Sequence, residues 1–140
     1  MAACTITTLI DAPLQLVWDS FTQPEHITQW NQADESWHCP NSVNDLREGG
    51  RFSATMAAKD GSTKFDFTGT YTLVEPLTKI TYRLDDDRMV SVVFTVQQNG
   101  VLITETFETE NVYSHERQRA GWQAILDSFG RHVMSQKIPT

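Results

Sequence analysis

Glu105 is the side chain best suited to chemistry, because it is a carboxylate at a predicted strand position whose neighbours are apolar. If it is buried without a partner, it costs several kcal/mol or takes up a proton, so it needs a donor, a water molecule or a ligand. Tyr71 and Tyr82 are predicted on the same face of the sheet, where their hydroxyls are possible hydrogen-bond donors to Glu105. Arg88 is also predicted at an inward-facing position of its strand. Such a carboxyl beside a tyrosine hydroxyl is suited to general acid–base catalysis. A purely structural, hydrogen-bonded Glu105 is the interpretation that we favour.

The sequence has little support for metal or nucleophile chemistry. Its histidines lack the spacing of an HExxH motif, and its cysteines form no Cys-x-x-Cys pair; they are His26, His38, His115 and His132, with Cys4 and Cys39. His38 and Cys39 are adjacent, but neighbours on an extended segment point to opposite faces, and no third group orients them. We therefore predict free thiols, no metal, no cofactor and no catalytic residue other than the weak candidate Glu105.

One long amphipathic helix is predicted from residue 114 to residue 136. At 100° per residue its apolar side chains form a single stripe, which consists of Trp122, Ile125, Leu126, Phe129 and Val133. Ser114 is suited to accept a hydrogen bond from the free N–H groups of the first turn. A single amphipathic helix is not stable alone in water, so the rest of the chain must supply an apolar surface for it.

The preceding segments predict a sheet with two small helices. A first strand (residues 4–10) is followed by a short helix beginning near Pro13 and a second beginning at Pro24. Residues 32–44 read as an irregular polar loop that carries Trp37. Regularly spaced strands separated by turn residues then form an antiparallel meander, predicted at residues 43–47, 51–58, 64–74, 78–84, 89–96 and 101–110.

Alternation along these strands places the apolar and aromatic side chains on one face of the sheet, towards the helix. Gly69 removes one side chain from that face. These residues either line a ligand pocket or fill the core, and the candidates for ligand binding are Trp30, Trp37, His38, Met56, Phe65, Phe67, Tyr71, Tyr82, Arg88, Phe94, Glu105, Trp122, Ile125 and Phe129. Trp30, Trp37 and His38 are expected at the mouth of the pocket, with His115 on the first turn of the long helix.

The dipeptide Asn99-Gly100 predicts a two-residue turn and therefore a register. That register pairs Val96 with Ile103, Phe94 with Glu105 and Val92 with Phe107. Inward positions then meet inward positions, which is consistent with the apolar pattern.

Composition excludes several classes of function. The chain has 140 residues, which suits a single domain spanning all of them, and a formal charge of −7. Its 11 Lys and Arg residues are scattered, so binding to nucleic acid or to an anionic membrane surface would be opposed electrostatically. No segment approaches the length of an apolar membrane span, and the N-terminus lacks a signal-peptide pattern. We expect a soluble cytoplasmic protein, monomeric or homodimeric.

The order β-α-α-β6-α and the motifs WNQADESWHCP, NDLREGGRF, GTYTLVEP, ETFETEN and GWQAILDSF resemble the activator of heat shock protein 90 ATPase homologue-like family. That family lies within the START-like, or SRPBCC, helix-grip superfamily. The resemblance covers nearly the whole chain and implies an α+β helix-grip fold. A curved antiparallel sheet of about seven strands would follow this plan, with two short helices after the first strand and one long C-terminal helix across the concave face.

The resemblance implies a cavity between sheet and helix that binds a small hydrophobic or aromatic molecule, without covalent chemistry. A second hypothesis from the same resemblance is a co-chaperone that stimulates a heat shock protein 90-type ATPase. A third is a polyketide cyclase-like enzyme that uses Glu105. A binding protein is favoured over an enzyme.

Overall fold

A computed structural model describes residues 2–137 of the chain as an antiparallel sheet with three helices. The strands are β1 (Ala3–Ile10), β2 (Trp37–Asn44), β3 (Arg51–Ala58), β4 (Lys64–Glu75), β5 (Lys79–Leu84), β6 (Met89–Gln97) and β7 (Gly100–Glu108). The helices are α1 (Leu14–Thr22), α2 (Pro24–Trp30) and α3 (His115–Ser135). The predicted α+β helix-grip architecture is confirmed, including the two short helices after β1 and the long helix at the C-terminal end.

All seven strands belong to one sheet with the order β1-β7-β6-β5-β4-β3-β2. β1 and β2 are therefore the two edges, and every neighbouring pair is antiparallel. The helix α3 packs on β1 and on both short helices, while α1 also contacts β6 and β7. This arrangement places the helices over one face of the curled sheet.

The helix α3 begins where its sequence predicts. The Ser114 hydroxyl accepts a hydrogen bond from the Arg117 backbone N–H at 3.1 Å, as expected of an N-cap serine. Leu126, Phe129 and Val133 of the apolar stripe are buried against the sheet and α1. By contrast, α1 has no side-chain cap, because its N-cap residue is Pro13, whose side chain cannot accept a hydrogen bond.

The predicted loop at residues 32–44 is wrong over its second half, since β2 runs from Trp37 to Asn44. Pro40 lacks an N–H and is poorly compatible with a central strand, which explains the loop prediction. In the structure β2 is an edge strand, and its pairing with β3 is irregular between His38 and Asn41. The proline lies in that irregular part, where a missing hydrogen bond is tolerated.

The predicted β6–β7 register is also wrong, by two residues. Gln97 pairs with Gly100, and Val92 rather than Phe94 lies opposite Glu105. Gly100 has φ +139°, and a Cβ there would lie 2.3 Å from the Ile10 carbonyl oxygen at the end of β1. This glycine therefore allows the close approach of β1. Because side chains alternate with a period of two, the shift leaves Glu105 on its predicted face.

Gly69 does not leave open space, contrary to expectation. A Cβ at this position would lie 2.8 Å from the ring of Phe52, which is opposite Gly69 in the β3–β4 register. The aromatic ring therefore covers the glycine.

The outer face of the sheet is polar and bonded to itself. Hydroxyls and carboxylates of neighbouring strands form pairs such as Thr55 Oγ1 with Asp66 Oδ1 at 2.8 Å. Arg51 donates to both carboxylate oxygens of Asp85 at 2.7 and 2.9 Å.

Among the helices of residues 2–137, none is both long enough and apolar enough to cross a membrane.

Candidate functional site

A pocket of about 470 Å³ lies between the sheet and the helices. Strands β2 to β5 and β7 form its floor and one side, and α3 closes the other side, with contributions from α1 and α2. Its lining consists of Phe21, Ile27, Trp30, Asn31, Ser42, Val43, Asn44, Phe52, Ser53, Ala54, Met56, Phe65, Phe67, Tyr71, Tyr82, Arg88, Glu105, Glu110, Tyr113, Gln118, Trp122, Ile125 and Leu126.

Aromatic rings from three strands and from α3 surround this space. We call Phe52, Phe67, Tyr71, Tyr82 and Trp122 the pocket cluster. Phe67 meets Trp122 edge-on at 5.9 Å between ring centroids, and Phe52 meets Tyr82 at 4.9 Å. Trp122 itself is stacked on the buried ring of Phe107, with centroids 4.2 Å apart and nearly parallel planes. The rings support one another, so the walls of the pocket are well packed from behind.

Ten of the fourteen predicted binding residues lie in the lining. They are Trp30, Met56, Phe65, Phe67, Tyr71, Tyr82, Arg88, Glu105, Trp122 and Ile125. Their role in binding stays a prediction. Trp30 lies at the inner wall rather than at the mouth. It is buried, and its indole Nε1–H donates to the Ser20 carbonyl oxygen at 2.7 Å.

Phe94 and Phe129 were predicted to contact a ligand, but both lie outside the lining. They belong to a second aromatic group, which we call the closed cluster: Trp18, Phe21, Trp30, Phe94 and Phe129. Phe129 is fully buried, with its centroid 5.0 Å from that of Trp30. Phe94 is 5.1 Å from Trp18. Helix α1 brings Trp18 and Phe21 onto these two phenylalanines, so the space that they could have lined is filled.

Trp37 and His38 were predicted at the mouth of the pocket, but neither residue lines it. They begin the edge strand β2, where Trp37 contacts the half-exposed ring of Phe65 at 6.0 Å and His38 is exposed. His115 does not lie at the mouth either. Its ring nitrogens face the Thr109 hydroxyl at 3.0 Å and the Cys4 thiol at 3.9 Å.

Glu105 faces the pocket from the middle of β7. It is only 7 % exposed, and its register neighbours Val92 and Ile6 are buried and apolar. Within residues 2–137 no group donates a hydrogen bond to its carboxylate, and burial alone raises its pKa to about 8. Burial disfavours the charged form because the carboxylate loses hydration that nothing replaces. Glu105 is therefore largely protonated at neutral pH.

The expected partnership of Glu105 with both tyrosines is not found as hydrogen bonds. The Tyr71 hydroxyl instead donates to Asn44 Oδ1 at 2.6 Å, and Asn44 donates in turn to the Thr22 carbonyl. Tyr82 is close enough for the Glu105 charge to act on it. Its pKa is raised well above the usual value, first by burial and then by Glu105.

Arg88 lines the pocket but is not a free cation. Its Nε donates to Asp86 Oδ2 at 2.8 Å, and its side chain is 16 % exposed. This ion pair forms in the turn between β5 and β6. Its charge still acts on Tyr82, whose pKa it lowers, but within the described residues Arg88 forms no ion pair with Glu105.

The segment between β7 and α3 forms part of the lining, which the sequence did not predict. Gln118 Nε2 donates to the carbonyls of Glu110 and Tyr113 at 3.0 and 2.8 Å, and its Oε1 accepts from the Glu110 N–H. Tyr113 is half-exposed, with the Arg117 guanidinium 4.0 Å above its ring. A buried glutamine in the first turns of a helix was the signal for this arrangement, since it must bond to nearby backbone.

Asn44, Val43 and Phe21 are further lining residues that the sequence did not indicate. Val43 and Asn44 lay within the predicted strand at residues 43–47, but neither they nor Phe21 were among the predicted binding residues. Among residues 2–137 no group of three or more His, Cys, Asp or Glu side chains could hold a metal ion, and both cysteines are free thiols.

The model of the family "Activator of Hsp90 ATPase homolog 1-like protein" matches residues 11–133. No curated protein matches the chain. The solution structure of the AHSA1-like protein from Aeromonas hydrophila is 40% identical, covers 99% of both chains and superposes with a TM-score of 0.92.

Two other solved structures show the same architecture. A protein from Cytophaga hutchinsonii is 40% identical over 96% of both chains, with a TM-score of 0.81. A protein from Nitrosomonas europaea is 18% identical over 96% of both chains, with a TM-score of 0.83, and this likeness concerns the fold alone. From the family match over most of its length, and from the fold and pocket described above, the chain belongs to the activator of Hsp90 ATPase homolog 1-like family.

Proposed function

We propose that this protein binds a small hydrophobic or aromatic molecule in the pocket between the sheet and α3. The volume of about 470 Å³ is within the range of pockets that hold small ligands. Most of the lining is apolar or aromatic, and a few polar groups converge on it, which is the usual composition of such a site. Five aromatic rings of the pocket cluster provide flat surfaces for an aromatic ligand.

The observation that carries this proposal is that the Glu105 carboxyl is buried and has no hydrogen-bond partner in the described part of the chain. A buried carboxyl with no bonding partner is costly to stability, and buried polar groups in folded proteins nearly always have a partner. An apolar side chain at the same position of β7 would pack against Val92 and Ile6. The polar group is explained if a ligand supplies the missing partner when it occupies the pocket.

A thermal-shift screen with flavonoids, sterols and fatty acids tests the proposal. A ligand present at 100 times its Kd adds about 2.7 kcal/mol to the free energy of unfolding, which raises Tm by several degrees. We expect at least one of these classes to produce such a shift.

Ala54→Phe is the variant that assigns the shift to the pocket. Ala54 lies in the lining on β3, so a phenyl group there occupies ligand space. Ala57→Phe makes the same change on the opposite face of β3, outside the lining. The ligand-induced shift should disappear in Ala54→Phe and persist in Ala57→Phe. Equal shifts in both variants, or none from any class with the wild type, would contradict the proposal.

The family name favours a second candidate, stimulation of an Hsp90-type ATPase. Such a partner would meet an outer sheet face whose side chains are polar and already paired with one another. Adding the protein to an Hsp90-type chaperone and measuring the rate of ATP hydrolysis tests this candidate. An unchanged rate removes it.

An enzymatic role of Glu105 is a third candidate, based on its raised pKa and its position in the pocket. Polyketide-like substrates would be the class to test. Glu105→Gln should then abolish turnover while ligand binding is retained, and a variant with undiminished turnover would rule this role out.

A further inference from the structure

Several polar side chains of the lining are already bonded to a partner. Tyr71 is bonded to Asn44, and Arg88 to Asp86. Glu110 Oε1 accepts the Tyr113 backbone N–H at 2.8 Å. Glu105 and the Tyr82 hydroxyl are the buried titratable groups of the lining that form no hydrogen bond with the described part of the chain. A ligand would therefore meet its strongest unsatisfied interaction at Glu105.

The charges around Glu105 determine which kind of ligand group suits it. The titratable or charged side chains in the lining are Tyr71, Tyr82, Arg88, Glu105, Glu110 and Tyr113. They comprise two carboxyl groups and one guanidinium, and Asp86 already pairs with that guanidinium. The whole chain carries a formal charge of −7. Both the local and the overall charge thus favour a cation over an anion in the pocket.

The surroundings of Glu105 are also suited to an organic cation. Tyr82, Phe67 and Trp122 present aromatic rings to the same space, with centroids 5.9 to 6.4 Å apart between Phe67 and the other two. Aromatic faces attract ammonium groups through their quadrupole, most strongly where water is excluded. A carboxylate combined with such rings satisfies both the charge and the apolar surface next to it.

We propose that the ligand is a flat apolar molecule carrying one protonated amine, with the amine paired to Glu105 and the apolar body against Tyr82, Phe67 and Trp122. This inference rests on the proposed function and specifies its ligand class. The pair would form at neutral pH, because ionising Glu105 one unit below its pKa reduces affinity only about tenfold. A charge-assisted hydrogen bond in a buried site offsets that reduction.

Three probes of nearly equal size separate the alternatives: naphthylmethylamine, naphthylmethanol and naphthoate, which are cationic, neutral and anionic at neutral pH. Binding is measured by NMR titration of the pocket residues, which detects weak as well as tight complexes. We expect the amine to bind at least about tenfold more tightly than the alcohol, and the naphthoate to bind most weakly.

Glu105→Gln should reduce this preference for the amine to about twofold or less, since the amide keeps the shape of the side chain but carries no charge. Glu75→Gln makes the same change at the exposed end of β4, outside the lining, and should retain the preference. With the wild type, amine affinity should rise as the pH increases towards 8, because the ionised carboxyl is the form that binds. Affinity for the alcohol should not rise over that range.

The outcomes distinguish this inference from the proposed function. If the alcohol or the naphthoate binds the pocket as tightly as the amine, or if Glu105→Gln retains the preference, the amine assignment is wrong and the pocket remains a binding site. If no probe changes the signals of any pocket residue at millimolar concentration, both the inference and the proposed function are contradicted.

Discussion

The interior of this protein has two aromatic groups between the helices and the sheet. All five rings of the pocket cluster line open space, whereas only Phe21 and Trp30 of the closed cluster border it. In the closed cluster, Trp18, Trp30, Phe94 and Phe129 are each at most 7 % exposed, and they form two ring pairs that Phe21 joins. In the pocket cluster, comparable rings surround about 470 Å³. The short helices explain the difference: α1 lies over β6 and β7 and fills that end, whereas on the other side α3 reaches across with Trp122. Composition is similar at both ends, and the placement of helices decides where the pocket lies.

Truncating one ring in each cluster tests this contrast with the largest expected effect. Phe129→Ala removes a fully buried ring and should lower the free energy of unfolding by about 3–5 kcal/mol. Phe67→Ala removes a ring that already borders open space, so we expect a loss of only about 1–2 kcal/mol. Urea unfolding of both variants gives the two values. Equal losses would show that the two clusters are packed alike.

Glu105→Gln tests the pocket side of this contrast through the pH dependence of stability. The pKa of Glu105 is raised from 4.5 to about 8, so the folded state binds a proton that the unfolded state has released between these values. Wild-type stability should therefore decline as the pH rises through this range, whereas the variant lacks this contribution. The variant should gain about 2–4 kcal/mol relative to the wild type above pH 8, after allowing for relaxation around the charge.

The matching control for that measurement is Glu75→Gln, which changes an exposed carboxylate. Its stability relative to the wild type should stay constant with pH. If the difference between Glu105→Gln and the wild type is also constant, the carboxyl is hydrated or paired in solution, and the description of this end of the molecule is wrong.

Asn44 joins the pocket to the closed end, since it accepts from the Tyr71 hydroxyl and donates to the Thr22 carbonyl. Asn44→Ala leaves both groups without partners in a partly buried site and should lower stability by about 1–3 kcal/mol. Tyr71→Phe leaves the second bond intact and should cost less. Urea unfolding distinguishes them, and a larger loss for Tyr71→Phe would contradict this role of Asn44.

The histidine pair at the closed end should give the smallest effect. His26 Nδ1 lies 2.9 Å from His132 Nε2, which links α2 to α3, and burial followed by the His26 charge lowers the pKa of His132. Below the ordinary value of 6.5 the unfolded state then binds more protons, so stability should fall on acidification. Substituting His132 by Gln should reduce this dependence. An unchanged pH profile of unfolding in that variant would contradict a role for the pair.

Side-chain alternation and helical periodicity were sufficient for most of the elements and for the inward face, because they report directly on which residues are covered. Glu105 and Trp122 were assigned to the interior for this reason. The helix-grip arrangement followed from the family resemblance. Side chains alternate between the two faces with a period of two, so a register error of two residues does not change the face of a side chain. The misplaced turn at Gly100 therefore did not move Glu105 to the other face.

Parity does not report which inward side chains meet one another. Phe129 and Phe94 have the same pattern as Phe67 and Tyr82, but only the latter two line the pocket. The difference depends on where α1 and α2 rest, which is a tertiary property. The early start of β2 was missed because Pro40 resembles a loop residue, and with it the lining residue Ser42 was missed.

A methyl-detected NMR titration with naphthylmethylamine compares both ends of the molecule in one experiment. Ile125, Leu126 and Met56 line the pocket, whereas Val17 and Val133 are fully buried in the core away from the lining. If the pocket binds the amine, the methyl groups of the first three residues should shift and saturate together while those of the two valines remain unchanged. Unchanged signals at Ile125, Leu126 and Met56, or equal shifts at all five residues, would contradict the claim that the pocket is a binding site.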